Sequence, residues 1–202
     1  MKALTLTAEM ALAAILGNKT ETRRPLNPQP PMGTRHVNTQ ASVVHWYAPF
    51  GLPGTELWLR EPGRVAARTH QYDAPGLFDI QFAAGGVKHR VGLPDRLLRG
   101  GQPPSWWVAG RGIPNGIFRE AARFKTVVIE VRVERLQQIS RESIRAEGFT
   151  LPPSPRFTPG EFSELHQEFA HTWNRIYGKR PGLAWADNPC VSVTKFRPME
   201  AI

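Results

Sequence analysis

The chain has 202 residues, of which 41% are hydrophobic and 21% are charged, so it can bury the core of one domain. No apolar run approaches the roughly 18 residues of a transmembrane helix, and we expect no membrane span. The single cysteine, Cys190, excludes an internal disulfide and favours a cytoplasmic location. Lys and Arg outnumber Asp and Glu by 26 to 17, which suggests a polyanionic partner. A generally Arg-rich composition would give the same charge without one.

The N-terminal quarter predicts a strand, a helix and a loop. Residues 2–6 alternate weakly as a strand, and Thr7 can cap a helix over residues 8–16 that ends at Gly17. Residues 25–54 are rich in Gly and Pro and predict a loop. Three apolar side chains have the spacing of a buried helical stripe: Leu12, Ile15 and Leu16.

The middle of the chain combines one clear strand with a long irregular stretch. Residues 56–60 alternate as a half-buried strand. Residues 62–118 are rich in Gly, Pro and Arg and predict an insertion within a single domain over residues 1–202. Residues 126–133 then predict a strand in which Val127, Ile129, Val131 and Val133 share one face.

The C-terminal part predicts two helices and a final strand. Ser140 can cap a short helix that ends near Glu147, and a second helix should start at Pro159 with a capping box and run to about Tyr177. Its apolar face would hold five side chains: Phe162, Leu165, Phe169, Trp173 and Ile176. A last strand spans residues 191–196. Strands separated by short helices, without a βαβ rhythm, predict an α+β fold built on a small barrel.

Several classes of site lack support in the sequence. The six histidines (His36, His45, His70, His89, His166 and His171) do not have the paired spacing of zinc ligands, so no metal is expected. The chain has no phosphate-binding G-x-x-x-x-G-K-[ST] loop, no G-x-G-x-x-G turn and no G-x-S-x-G elbow. We expect no cofactor.

Two positions carry unusual electrostatics. Lys19 is followed closely by Thr22, Arg23 and Arg24, and neighbouring cations should lower the pKa of the lysine, which suits a base or a nucleophile. Glu147 stands at the negative end of its predicted helix, which should raise the pKa of the carboxyl and suit a proton donor. The alternatives are a solvated basic strand end and an exposed glutamate on a frayed turn.

Five segments, in order along the chain, resemble ASCH-domain proteins encoded by phages and prophages. They are residues 7–25, 53–61, 131–140, 146–148 and 185–189. The resemblance implies a compact β-barrel related to the RNA-binding PUA domains and binding of RNA or nucleotides. Small bacterial members share a Gly-x-Lys-Thr-x-Thr segment and remove the acetyl group of N4-acetylcytidine.

The resemblance implies a catalytic set of Lys19, Thr22 and Glu147. The substrate would be held by five further side chains: Arg23, Arg24, Trp58, Arg60 and Trp106. This chain is longer than the small amidohydrolases, and residues 117–123 lack the Met-Pro-Arg-Trp-Ala-Ser-Arg stretch of phage relatives. The resemblance also suggests a phage or prophage origin and the host cytoplasm as the location.

The implied reaction is hydrolysis of an acyl group on the exocyclic amine of cytidine. Neutral Lys19 would take a proton from Thr22 or from water, Arg24 would stabilise the oxyanion or a phosphate, and Glu147 would protonate the departing amine. This scheme requires the loop after Gly17 to continue through Lys19, with Thr22 and Arg24 on the same inward side.

Two other functions fit the sequence. A PUA-like module that binds RNA or a modified base without catalysis would use the Arg excess and four aromatic side chains: Trp46, Tyr47, Trp106 and Trp107. The alternative for these tryptophans is packing in a core or lid. A component of phage assembly is the third possibility. The sequence does not specify an oligomeric state.

Overall fold

The computed structural model of the chain describes residues 1–30, 48–66, 77–150 and 159–202, with the backbone alone described at 159–163. It is an α+β protein, as the sequence predicts. The strands it describes pair in open sheets and form no closed barrel. No described helix combines the length and apolar character needed to cross a membrane.

The described strands and α-helices follow the chain order β1 (Lys2–Thr5), α1 (Ala8–Ile15), β2 (Glu21–Pro25), β3 (Glu56–Arg60), β4 (Gly63–Val65), β5 (Leu77–Phe82), β6 (Val87–Gly92), β7 (Phe124–Arg135), α2 (Arg141–Ala146), α3 (Pro159–Tyr177), β8 (Cys190–Phe196) and β9 (Glu200–Ala201). They belong to two compact units. The first unit comprises Met1–Ile15, Glu56–Thr126 and Met199–Ile202, and the second comprises Leu16–Thr55 and Val127–Pro198.

In the first unit, β1 pairs in parallel with β3, and α1 follows β1 as predicted. The Thr7 hydroxyl caps α1 by accepting a hydrogen bond from the backbone N–H of Met10 (3.4 Å). The predicted apolar stripe is wrong, because Leu12 and Leu16 are 43% and 65% exposed. The buried side of α1 instead carries the small side chains of Ala11 and Ala14.

Residues 62–118 are more regular than the sequence predicts. They contain the antiparallel sheet β4–β5–β6 and most of a hydrophobic core that includes Phe78, Trp107 and Ile117. In β5 the apolar Phe78, Ile80 and Phe82 alternate with Asp79 and Gln81, so the sequence carries a strand signal that the Gly and Pro content of the region obscures. A β-bulge between Phe78 and Ile80 leaves Asp79 buried between them. Whether these residues form an insertion in a single domain stays a prediction.

In the second unit, β8 is the central strand of an antiparallel ladder, with β2 on one side and β7 from Val128 to Arg135 on the other. The predicted strand in β7 is confirmed, but its single apolar face is wrong. A register shift between Val128 and Glu130 turns Ile129 outward, while Val131 stays buried.

The two helices of the second unit start where the sequence predicts. The Ser140 hydroxyl caps α2 by accepting a bond from the N–H of Ser143 (3.2 Å), and α3 begins at Pro159. On α3 the buried side chains include Leu165, Phe169 and Trp173; the prediction for Ile176 is wrong, since it is half exposed and Tyr177 is buried instead. The Phe162 side chain and the capping box over 158–161 lie outside the described residues.

Candidate active site

Lys19 and Glu147 meet although they are 128 positions apart in the sequence. β2 starts only at Glu21, so Lys19 lies in the loop that leads into that strand. The N–H of Thr20 donates to the carbonyl of Ala146 (2.8 Å) at the end of α2, which aligns Lys19 with Glu147. Gly148, at φ +94°, then turns the chain away in a left-handed conformation that glycine adopts without strain.

The ammonium group of Lys19 is buried and uses all three of its N–H donors. It donates to Glu147 Oε2 (2.6 Å), to the backbone carbonyl of Glu147 (2.8 Å) and to that of Glu21 (2.8 Å). The Lys19 side chain is 2% exposed and that of Glu147 is 7% exposed. This is a desolvated, fully hydrogen-bonded ion pair, which predicts a fixed geometry for both groups.

Arg23 bridges Glu147 to a second carboxylate. Its Nη1 donates to Glu147 Oε1 (3.2 Å), and its Nε and Nη2 donate to Glu134 Oε1 (2.9 and 2.7 Å). Arg132 joins the network from β7, donating to both carboxylate oxygens of Glu21 (3.3 Å each) and to Glu134 Oε2 (3.1 Å).

We call this set the ion-pair cluster; it consists of three cations and three carboxylates: Lys19, Arg23, Arg132, Glu21, Glu134 and Glu147. Each buried member therefore has a counter-ion within the cluster, and Arg132 also contacts the exposed Glu130 (Nη1–Oε1 3.2 Å). Arg23, which the resemblance predicts to bind substrate, is buried and its guanidinium is engaged with protein carboxylates; its role in binding stays a prediction.

Burial is the main cause of the lowered pKa of Lys19; Arg24 and Arg23 lower it further, while Glu147 opposes the shift. The sequence therefore predicted the direction but attributed it to the arginines alone. The prediction for Glu147 is wrong in direction. Burial by itself raises the pKa of Glu147, but the charges of Lys19 and Arg23 outweigh it, so the pKa lies below the ordinary value.

Thr22 lies on the other face of β2. The register pairs Arg23 with Val193 and Thr22 with Thr194, and neighbouring residues of a strand point to opposite faces. Thr22 and Arg24 therefore share a side, as the catalytic scheme requires, and Lys19 precedes the strand, as it also requires. In the described structure the Thr22 hydroxyl makes no hydrogen bond with Lys19 or Glu147.

This second face, which we call the hydroxyl face, consists of Thr22, Arg24, Ser192 and Thr194. Thr22 is opposite Thr194, and Arg24 is opposite Ser192, so the four side chains form a compact block across β2 and β8. The guanidinium of Arg24 lies over the ring of Phe50, 5.6 Å from its centroid. The three hydroxyl-bearing residues are buried.

The other predicted binding residues belong to the first unit and are not part of either set. Trp58 is buried in its hydrophobic core, Trp106 is partly buried and packs against that core, and Arg60 ends β3. Trp107 is also buried there, as expected for packing. Their role in binding stays a prediction, and Trp46 and Tyr47 lie outside the described residues.

No metal site emerges from the part of the chain that the structure describes: it contains no group of three or more His, Cys, Asp or Glu side chains that can hold an ion. Three of the histidines, His36, His45 and His70, lie outside those ranges. His89 Nδ1 contacts Asp79 Oδ2 (2.9 Å) in the first unit, with its ring largely exposed.

Sequence reasoning missed Glu21, Arg132 and Glu134 in the ion-pair cluster, and Ser192 and Thr194 on the hydroxyl face. The sequence carries a pattern that could have indicated both groups of residues. β2 and β7 carry charges of both signs at a period of two, and in β8 small hydroxyl side chains alternate with valines. Alternation of this kind indicates two faces of different character, but the partner strands are known only from the register.

Chemically, the Lys19–Glu147 contact can exchange a proton. Transfer of one proton from the ammonium to the carboxylate across 2.6 Å would give a neutral amine and a carboxylic acid, which are a general base and a general acid side by side. Burial favours the neutral pair, and Arg23 on the second Glu147 oxygen favours the charged one.

Comparisons of the chain with protein-family models, with curated proteins and with solved structures find no match.

Proposed function

We propose that this protein is an ASCH-type, PUA-like protein that hydrolyses an acyl group from the exocyclic amine of a cytidine nucleoside or of RNA. The observation that carries the proposal is the buried contact between Lys19 and Glu147, two residues that the motif resemblance selected independently of any coordinates. Thr22, the third member of the set, lies in the adjoining strand β2.

The reaction starts from proton transfer within the Lys19–Glu147 pair. The Lys19 amine then accepts a proton from water, or from the Thr22 hydroxyl, as the oxygen forms a bond to the acyl carbon. Glu147 donates its proton to the exocyclic nitrogen, the C–N bond breaks, and the amine leaves. With water as nucleophile, the products are the free amine and the carboxylic acid, and the Lys19–Glu147 ion pair is restored. With Thr22 as nucleophile, the acyl ester left on Thr22 is hydrolysed in a second round, in which water attacks its carbonyl, the Lys19 amine takes the proton of the water, and Glu147 returns a proton to the Thr22 oxygen.

Arg24 is the cation that we assign to the developing oxyanion or to a substrate phosphate. It shares a strand face with Thr22, its positive charge lowers the pKa of Lys19, and its Nη1 donates to the carbonyl of Arg23 (3.1 Å). A fixed cation near the attacked carbonyl stabilises the transition state because the negative charge forms there.

The test is release of cytidine from N4-acetylcytidine, followed by chromatography. We expect turnover by the unmodified protein and a fall of at least about 100-fold in Lys19→Met, the usual contribution of a general base. Lys179→Met is the matched control because it removes an exposed lysine of the same unit, and it should keep full activity. Activity that survives in folded Lys19→Met would contradict the proposal.

One observation favours a second candidate, a non-catalytic module that binds RNA or a modified base. All three Lys19 donors are already used in the free protein, as they would be in a purely structural ion pair. Such a module should bind single-stranded RNA with an affinity that falls steeply with salt, because the affinity would depend on phosphate contacts. Salt-dependent binding by a protein without hydrolytic activity would favour this candidate.

A further inference from the structure

Two hydroxyl groups in the middle of the second unit are buried without a hydrogen-bond partner. Ser192 and Thr194 are 1% and 0% exposed, and neither Ser192 Oγ nor Thr194 Oγ1 has a partner among the described residues. Both residues lie in β8, the central strand of the ladder, and both face the side that carries Thr22 and Arg24.

An unpaired buried hydroxyl lowers stability, since the group gives up its bonds to water and gains none. Valine has nearly the shape of threonine without this cost, and β8 itself uses valine at positions 191 and 193. Packing alone therefore does not account for the hydroxyls at positions 192 and 194. A partner from outside the chain would account for them, because it would supply the missing hydrogen bonds.

The surroundings indicate the chemistry of that partner. Arg24 and its neighbour Phe50 offer one cation and an aromatic ring, and the next strand places Val131 opposite Thr194 and Val133 opposite Ser192. Hydroxyls can donate and accept hydrogen bonds, so they suit a ligand edge with alternating donors and acceptors. Apolar neighbours suit a planar body, and both features together describe a nucleobase.

We propose that the hydroxyls of Ser192 and Thr194 bind the polar edge of a pyrimidine base, and that the hydroxyl face is the recognition surface for the nucleoside. The inference rests on the proposed function in one respect, which is that Thr22 on this face belongs to the reacting set. Because both oxygens are out of contact with solvent, we expect binding to require movement of the side chains that cover them.

Equilibrium binding of cytidine, N4-acetylcytidine and inorganic phosphate to the full chain tests the inference, measured by titration calorimetry. Thr194→Val and Ser192→Ala should each weaken cytidine binding by about tenfold, as expected for one lost hydrogen bond. The matched control is Ser140→Ala, which removes a hydroxyl with a partner in the same unit. It should lower the melting temperature and leave cytidine affinity unchanged.

The outcomes separate this inference from the proposed function. Hydroxyl-dependent cytidine binding without hydrolysis supports the recognition surface and contradicts the amidohydrolase. Hydrolysis with unchanged nucleoside affinity in Thr194→Val and Ser192→Ala supports the enzyme and overturns the recognition surface. Failure of the unmodified protein to bind either nucleoside at millimolar concentration, or binding of phosphate alone, also overturns it.

Discussion

The two faces of the β2–β8 ladder differ in how their polar groups are satisfied. On one face, Arg23 and Lys19 are held by carboxylates and backbone carbonyls, and the charges of the ion-pair cluster balance. On the other face, Ser192 and Thr194 keep hydroxyls that have no partner among the described residues. Lys19, Arg23 and Glu147 are buried, as the two hydroxyl residues are, so the difference between them does not come from solvent.

This difference separates side chains that are held by ion pairs from hydroxyls that have no hydrogen-bond partner among the described residues. A closed network of ion pairs keeps Glu147 in one place, which is what acid–base chemistry requires of its groups. In our proposal, the unpaired hydroxyls lower the stability of the free protein and form their hydrogen bonds only with a bound ligand, which is what recognition requires. We therefore expect substitutions on the two faces to act on different properties.

The largest expected effect is on the stability of the ion-pair cluster. Arg23→Met leaves the buried Glu147 and the partly buried Glu134 with fewer partners, and breaking a buried ion pair in this way costs about 3–5 kcal/mol. We expect the loss in the free energy of unfolding measured by urea denaturation. Arg145→Ala, an exposed change in the same unit, should stay within about 0.5 kcal/mol. A loss below about 1 kcal/mol for Arg23→Met would mean that the cluster is not tightly coupled.

A smaller effect concerns the dependence of stability on pH. Because the pKa of Glu147 is lower in the folded protein than its ordinary value of 4.5, the unfolded chain binds more protons below that pH. The contribution of ionised Glu147 to the free energy of unfolding is fully present above pH 4.5, and it is lost as the pH falls towards the lowered pKa of this carboxyl. Glu147→Gln should flatten the acid limb of a plot of urea midpoint against pH.

Glu164→Gln, which removes an exposed carboxyl from α3, is the control for this experiment and should leave the acid limb as it is. An unchanged acid limb in Glu147→Gln would show that Lys19 and Arg23 do not stabilise the charged carboxylate.

The smallest effect on stability is expected on the hydroxyl face. Thr194→Val removes an unpaired hydroxyl, so the free energy of unfolding should stay within about 0.5 kcal/mol or rise. Ser140→Ala removes a helix cap and should cost about 1 kcal/mol. A loss as large as the Ser140 loss in Thr194→Val would show that the hydroxyl is already paired in the free protein. Differential scanning calorimetry of the two variants makes the comparison.

Local signals predicted much of the fold but little of the site. Turn and cap residues such as Thr7, Ser140 and Gly148 act on their immediate neighbours, and the elements beside them start and end as predicted. Burial depends on partners far away in the sequence. For that reason the stripe through Leu12 was assigned to the wrong side of α1, and the bulge after Val128 was missed.

Prediction of the site is limited in the same way, because its residues come from distant parts of the sequence. Lys19 and Glu147 were selected because their motifs resemble a family, and spacing alone does not indicate that they touch. The sequence predicts a raised pKa for Glu147 because it indicates only the nearby helix end, whereas in the structure two cations, Lys19 and Arg23, contact the carboxylate and lower its pKa. Neighbours in the sequence do not indicate the direction of a pKa shift where distant segments of the chain bring charged groups together.

The most direct test of the whole account is a crystal structure of the protein with cytidine bound. We expect the base to lie against the hydroxyl face, with its polar edge within hydrogen-bond distance of Ser192 Oγ and Thr194 Oγ1 and its exocyclic amine beside Thr22, at the end of β2 that follows Lys19. A cytidine bound away from β2 and β8, in a protein whose Lys19–Glu147 contact is undisturbed, would contradict both the recognition surface and the chemistry assigned to that pair.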